Sequence, residues 1–159
     1  MTITLLTVGK IKEQYLKEGI AEYCKRLQPY DKLQIIEVVD EAVAENASAA
    51  QIEQAKEKEG ERLLKRMPAN AVLLALDLNG EQISSPGLAN CIAQYQLTGK
   101  SHLAFVIGGS FGLAPMVLAK ADKKIAFGLC TYPHQLMRLI FLEQLYRAYK
   151  INRKESYHK

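Results

Sequence analysis

The chain has 159 residues, 48% hydrophobic and 24% charged, which suits a single domain spanning residues 1–159 and excludes a disordered or fibrous polypeptide. No apolar run approaches the ~18 residues of a membrane span. The net charge of +4 is uneven: residues 120–159 carry nine Lys/Arg against three Asp/Glu, whereas residues 1–67 and 68–119 are each net −1.

The elements alternate. "ITLLTVG", Ile3 to Gly9, is a buried strand closed by glycine. Ile11 to Leu27 places Ile11, Tyr15, Leu16, Ile20, Tyr23, Cys24 and Leu27 at helical spacing, and Pro29 follows the end. "LQIIEVV", Leu33 to Val39, is β-branched and strand-like. Ser48 and Gln51 form a capping box that opens a helix to about Met67. Ala71 to Gly80 is a near-continuous apolar strand, and Ser85-Pro86 supplies an N-cap and a first-turn proline for a helix to about Leu97. "HLAFVIGG" is a strand, Pro115 to Ala121 a short helix, "IAFG" a last strand, and Pro133 opens a long helix through about Lys150. Doubly apolar strands separated by helices predict an α/β fold with a parallel sheet flanked by helices. Ligands then bind beyond the carboxyl ends of the strands, here the loops after Leu76, Ile107 and Phe127.

The last helix carries apolar residues nearly all round, among them Leu136, Met137, Leu139, Ile140, Phe141, Leu142, Leu145 and Tyr149. One sheet covers only one side of such a helix, so a homodimer is expected to cover the other. The basic C-terminal quarter points to a polyanion partner.

Cys24, Cys91 and Cys130 are odd in number and scattered, giving neither a disulfide framework nor a metal pair, so no metal is expected. "MTITLLTVGK" has no basic stretch ahead of its apolar run, so it reads as no signal peptide; a cytoplasmic location with no membrane partner is expected. "TGKSH" lacks the upstream glycine of a phosphate-binding loop, because Gln94 stands there, and the dinucleotide fingerprint is absent. Gly108-Gly109-Ser110-Phe111-Gly112 fits the nucleophile elbow of serine hydrolases. That reading needs an acid and a histidine after Ser110. Asp122 lies too close, in a charged segment, and the chain is short for that fold. The alternative is a glycine pair after a strand that lets backbone approach a cofactor.

Glu143 and Arg147 are four apart on the last helix and can pair. His134 and Arg138 form a second such pair near its opening, where backbone N–H groups favour an anion.

Together, "LTVGKIKEQY", "LALDLNG", "FVIGGSFG", "TYPHQLMRLIFLEQLYRAYKI" and the terminal "YHK" resemble the ribosomal RNA large subunit methyltransferase H family, of the SPOUT class. The resemblance covers essentially the whole chain; Phe111 stands where relatives often carry asparagine. It implies a homodimer with a C-terminal trefoil knot and S-adenosyl-L-methionine as cofactor. The reaction it implies is N3-methylation of a pseudouridine in the helix 69 loop of 23S rRNA, in assembled ribosomes; a different RNA is the alternative within the fold. Cofactor contacts are implied at Leu76, Gly108, Phe127, Gly128, Leu129, Cys130, Thr131 and Tyr132. The catalytic candidates are Arg147, His158, Tyr157 and Glu143; the RNA-binding candidates are His134, Arg138, Arg153, Lys154 and Lys159. Arg147, His134 and His158 are open as the group assisting loss of the N3 proton, arginine only by stabilising charge.

Overall fold

A computed structural model describes all residues 1–159. Five strands, β1 (Thr2–Val8), β2 (Lys32–Val38), β3 (Val72–Gln82), β4 (His102–Ile107) and β5 (Lys123–Ala126), form one parallel sheet in the order β2-β1-β4-β3-β5. Helices α1 (Gln14–Leu27), α2 (Ala49–Arg66), α3 (Ser85–Leu97), α4 (Pro115–Lys120) and α5 (His134–Asn152) flank it. No helix is long and apolar enough to cross a membrane.

Strand alternation sorts the core onto two faces. Ile3, Leu5, Leu74, Leu103 and Phe105 pack with α1, α3 and α5, and Phe105 meets Phe141 with ring centroids 4.6 Å apart. Leu6, Val8, Leu73, Ala75, Ala104 and Val106 pack with α2 and α4. Both faces are covered, which explains why these strands read as continuous apolar runs.

Several boundaries differ from the sequence reading. Helix α1 begins at Gln14 rather than Ile11. Residues before it form a loop, held where the Lys12 amide donates to Gln135 Oε1 at 2.9 Å. The N-cap of α3 is Ser84, not Ser85: its Oγ accepts from the Gly87 amide at 3.1 Å. Ser85 Oγ instead donates to Gln144 Oε1 on α5 at 2.6 Å. Strand β5 starts two residues before "IAFG" because Lys123 and Lys124 pair in register with Leu74 and Ala75. Strand β3 continues past a register shift between Leu76 and Glu81, so its far half also pairs with β5. The two cross so closely that a Cβ on Gly80 would lie 2.6 Å from the Ile125 nitrogen. The capping box of α2 is present, with Ser48 and Gln51 bonding each other's amides.

Part of the apolar girth of α5 is covered within one chain. The helix lies against the sheet and between α1 and α3, and no residue from His134 to Ile151 is fully exposed. On the α1 side the fit is close: a Cβ on Gly19 would sit 2.9 Å from Leu139. Leu136, Met137, Leu139 and Ile140 remain only half-buried within the single chain.

Arg138, expected to reach RNA, is corrected by the structure. Its side chain is 2% exposed. Its guanidinium donates to Glu37 Oε2 at 2.7 Å and to the carbonyl oxygens of Val8 and Gly9 at 2.6 and 2.8 Å. The arginine ties α5 to the carboxyl ends of β1 and β2. Truncating one member of a buried charged network leaves its partners unsatisfied and typically costs 3–5 kcal/mol. Arg138→Ala is expected to destabilise the fold by about 3 kcal/mol, read as a lower urea midpoint with an unchanged denaturant slope.

Candidate active site

The carboxyl ends of β3, β4 and β5 frame a cavity of about 860 Å³. Its walls come from Leu76 to Asn79 at the register shift within β3, Ile107 to Leu113 from the end of β4, and most of the segment from Ile125 to His134 that runs from β5 to α5. Met137 adds one turn of α5, and Lys56 reaches in from α2. These are the three loops that parallel-sheet topology selects. The volume falls in the usual range for small-molecule sites.

The loop after β4 is built by its glycines. Gly109 and Gly112 bridge each other, with the Gly112 amide donating to the Gly109 carbonyl at 3.1 Å. A Cβ on Gly108 would lie 2.5 Å from the Gly112 carbonyl carbon, so the loop's own backbone excludes a side chain there. Gly112 has φ +85°, the left-handed region that favours glycine. Behind Gly109 stands Glu59 of α2, whose carboxylate would lie 3.1 Å from a Cβ at that position. Burial raises the Glu59 carboxyl above its ordinary value, against the bond it accepts from the Glu41 amide.

The hydrolase reading fails on geometry. Asp122 Oδ2 accepts from the Leu73 amide at 2.8 Å, and the Asp122 amide donates back to the Leu73 carbonyl. This acid is committed at the amino end of β3, across the sheet from Ser110.

The sequence-derived residues separate into two groups. Leu76, Gly108, Phe127, Gly128, Cys130, Thr131, Tyr132 and His134 all line the cavity. Leu129 does not; its side chain is 81% exposed, leaving its backbone as its contribution to the loop. The other group gathers at the far end of α5. Arg147 pairs with Glu143 through Nη2 and Oε1, 2.5 Å apart, and its guanidinium lies 4.7 Å from the Tyr157 ring centroid. Tyr157 donates to Glu143 Oε1 at 3.0 Å and meets Tyr23 hydroxyl to hydroxyl at 3.3 Å. Burial, then Tyr23 and Glu143, raise its phenol, which stays protonated. His158 Nδ1 faces Arg147 Nη1 at 3.4 Å. Arg153 lies over Tyr30, 4.4 Å from the ring centroid, while Lys154 and Lys159 are exposed. From His134 to Arg147 is roughly 20 Å along the helix axis. One chain does not bring the two groups together.

Lys56, Asp77 and Asn79 are cavity residues that sequence reasoning missed. Asp77 and Asn79 lie near the end of the strand Ala71 to Gly80 already singled out. Lys56 carries no signal, since only the docking of α2 brings it there.

The family model described as "Predicted SPOUT methyltransferase" matches residues 1–158. The ribosomal RNA large subunit methyltransferases H of Carboxydothermus hydrogenoformans and Halothermothrix orenii are 57% and 52% identical to this chain, each over the full length of both proteins. The chain belongs to this SPOUT methyltransferase family. Its fold is similar to that of a probable methylase family protein from Haemophilus influenzae, with TM-score 0.53 and 14% identity over 99% of this chain and 70% of the other.

Two outcomes follow for the glycine loop. Gly108→Ala should remove measurable S-adenosylmethionine binding in calorimetry while the far-ultraviolet dichroism stays that of the wild type, because the loop alone must be rebuilt. Ser110→Ala should keep activity within about tenfold, since it loses at most one hydrogen bond worth about 0.5–1.5 kcal/mol.

Proposed function

We propose that this methyltransferase transfers a methyl group from S-adenosyl-L-methionine to N3 of a pseudouridine in the helix 69 loop of 23S rRNA, on assembled ribosomes in the cytoplasm. The observation that carries the cofactor assignment is the cavity, framed by the same loops that the family resemblance marks. Its chemistry fits the cofactor. Apolar Leu76, Ile107, Ile125 and Met137 offer a surface for a flat purine, and the loop backbones offer donors and acceptors along a glycine-lined wall. The names of the full-length relatives, together with the net +6 of residues 120–159, support ribosomal RNA as the substrate.

When bound, the cofactor supplies the methyl as an activated electrophile, so no covalent enzyme intermediate is needed. The chain's own residues bind and orient it, exclude water and assist loss of the imide proton.

The working form is a homodimer in which the tail of one subunit completes the cavity of the other. The separation of roughly 20 Å between the cavity and the Arg147 group supports this. The tail is a built structure, with Tyr157 half-buried among Tyr23, Tyr146 and Arg147. Tyr157, His158 and Lys159 then supply a stacking surface, a titratable ring and a cation to the RNA. A C-terminal knot, implied by the family resemblance, is part of the same proposal.

The direct test measures labelled methyl transfer to ribosomes from cells lacking the modification, with naked 23S rRNA and tRNA as comparisons. Only ribosomes should be modified at an appreciable rate; preferential tRNA labelling would reassign the substrate. Deleting residues 157–159 should abolish transfer yet spare dimerisation and most cofactor binding. Mixing that deletion with Gly108→Val should restore part of the activity, because each heterodimer holds one site with both parts intact. No recovery in proven heterodimers would refute the shared site.

A further inference from the structure

Of the three histidines, two have a partner within the chain. His102 Nε2 bonds Thr4 Oγ1 at 2.8 Å on the sheet, and His158, in the tail that the proposed dimer brings to the partner's cavity, faces the Arg147 guanidinium through Nδ1. His134 differs from both. It lines the cavity at the first turn of α5, half-buried, and its ring nitrogens bond no other residue of the chain. The other titratable groups on the cavity wall are Lys56, Asp77, Cys130 and Tyr132. Lys56 Nζ pairs with Glu53 Oε1 at 3.1 Å, and Asp77 Oδ2 accepts from the Asn79 amide at 3.2 Å.

We propose that His134 is the catalytic base that takes the N3 proton of the target base. The inference rests on the methyltransferase reading above and identifies the proton acceptor within that site. Neutral imidazole has one nitrogen lone pair free to accept a proton. His134 is kept in that neutral form near pH 7. Burial lowers its proton affinity most; Arg138, one turn along α5, lowers it further; Lys12, from the loop after β1, acts in the same direction, while Asp40 beyond β2 opposes them. Arg138 is itself fixed by Glu37, Val8 and Gly9, so the positive charge beside the imidazole cannot swing away.

The step balances. The N3–H proton moves to the free ring nitrogen of His134. The N3 electron pair forms the bond to the methyl carbon of the sulfonium donor, and the sulfur–carbon pair withdraws to sulfur as a neutral thioether. The protonated ring then releases its proton to solvent, which its lowered proton affinity favours.

The test uses the full-length protein and unmodified ribosomes. General bases typically contribute 10²–10⁴-fold, so His134→Gln should lower kcat by about 100-fold or more at pH 7. Its KM for ribosomes and its cofactor affinity by calorimetry should stay within about threefold. The deficit should shrink steadily as pH rises, because the imide then ionises unaided. As a readout independent of turnover, the His134 ring signals in a ¹⁵N-histidine spectrum should shift when S-adenosylmethionine is added, while those of His102 stay in place. Wild-type turnover in His134→Gln, or a loss constant with pH, would overturn the assignment. So would loss of cofactor affinity in both His134→Gln and His134→Asn, which would make the residue a binding group. So would unmoved His134 signals in a protein that calorimetry shows to be loaded. A wild-type protein that binds no cofactor would overturn the methyltransferase reading itself, and this inference with it.

Discussion

A buried guanidinium organises the carboxyl end of this sheet. Arg138 lies in the second turn of the chain's last long element, yet its partners Val8, Gly9 and Glu37 come from the first two strands and the turn after β1. Taking such a charge out of water is expensive, and the carboxylate and two carbonyls offset that expense only in one geometry. Gly9 contributes through its φ of +77°, which turns the chain at the end of β1 while its amide bonds the Val38 carbonyl. The result is directional. The first turn of α5 is set against the ends of β1 and β2, and the segment entering it, Thr131 to His134, becomes a wall of the cavity. Fold and site share this fastening: the same guanidinium that anchors α5 adds to burial in lowering the proton affinity of His134.

Much of this architecture was legible because local chemistry and tertiary structure agree. The Ser48–Gln51 box, the apolar strand runs and the Pro133 helix start each encode their element without reference to the rest of the chain. What failed depended on partners distant in sequence. Arg138 reads as a surface cation beside His134, since nothing local announces carbonyls 130 residues away. Ser84 and Ser85 are equally good caps by composition, and Gln144 of α5 decides between them by engaging Ser85. The girth of α5 was read correctly as burial on several sides, but a sequence cannot say whether the cover is α1 and α3 or a second subunit. The cavity loops were legible because parallel topology predicts where ligands sit; Lys56 was not, because an amphipathic helix does not disclose which rim it will reach.

The basic C-terminal quarter also takes a different form from its composition. Its charges are not a diffuse solvated tail. Arg153 covers the face of Tyr30, Lys150 pairs with Glu155, and Arg147 is held between Glu143 and Tyr157. An aromatic cluster of Tyr23, Tyr30, Tyr146, Tyr149 and Tyr157 underlies them. Side chains already fixed lose little freedom on meeting a ligand, so an ordered cationic surface binds a polyanion at lower entropic cost than a flexible one. The same order keeps these groups at one end of α5, away from the cavity.

The glycine loop after β4 shows how narrowly the cavity wall is specified. Gly108 is excluded from bearing a side chain by Gly112, and Gly109 is confined by Glu59 and Val8. The ligand-facing wall is thus made of backbone shaped by backbone, and the freedom that glycine provides is spent within the loop itself. Glu59 adds an electrostatic consequence. Its folded-state proton affinity is raised by burial, so between its ordinary value and that raised value the folded chain binds more protons than the unfolded one. Its contribution to stability accordingly falls as pH rises through that window. That largely desolvated carboxyl stands behind Gly109, held by the Glu41 amide. The fold accepts that penalty at the back of the loop whose shape the cavity requires. Such tolerance is characteristic of binding sites, where local stability yields to geometry.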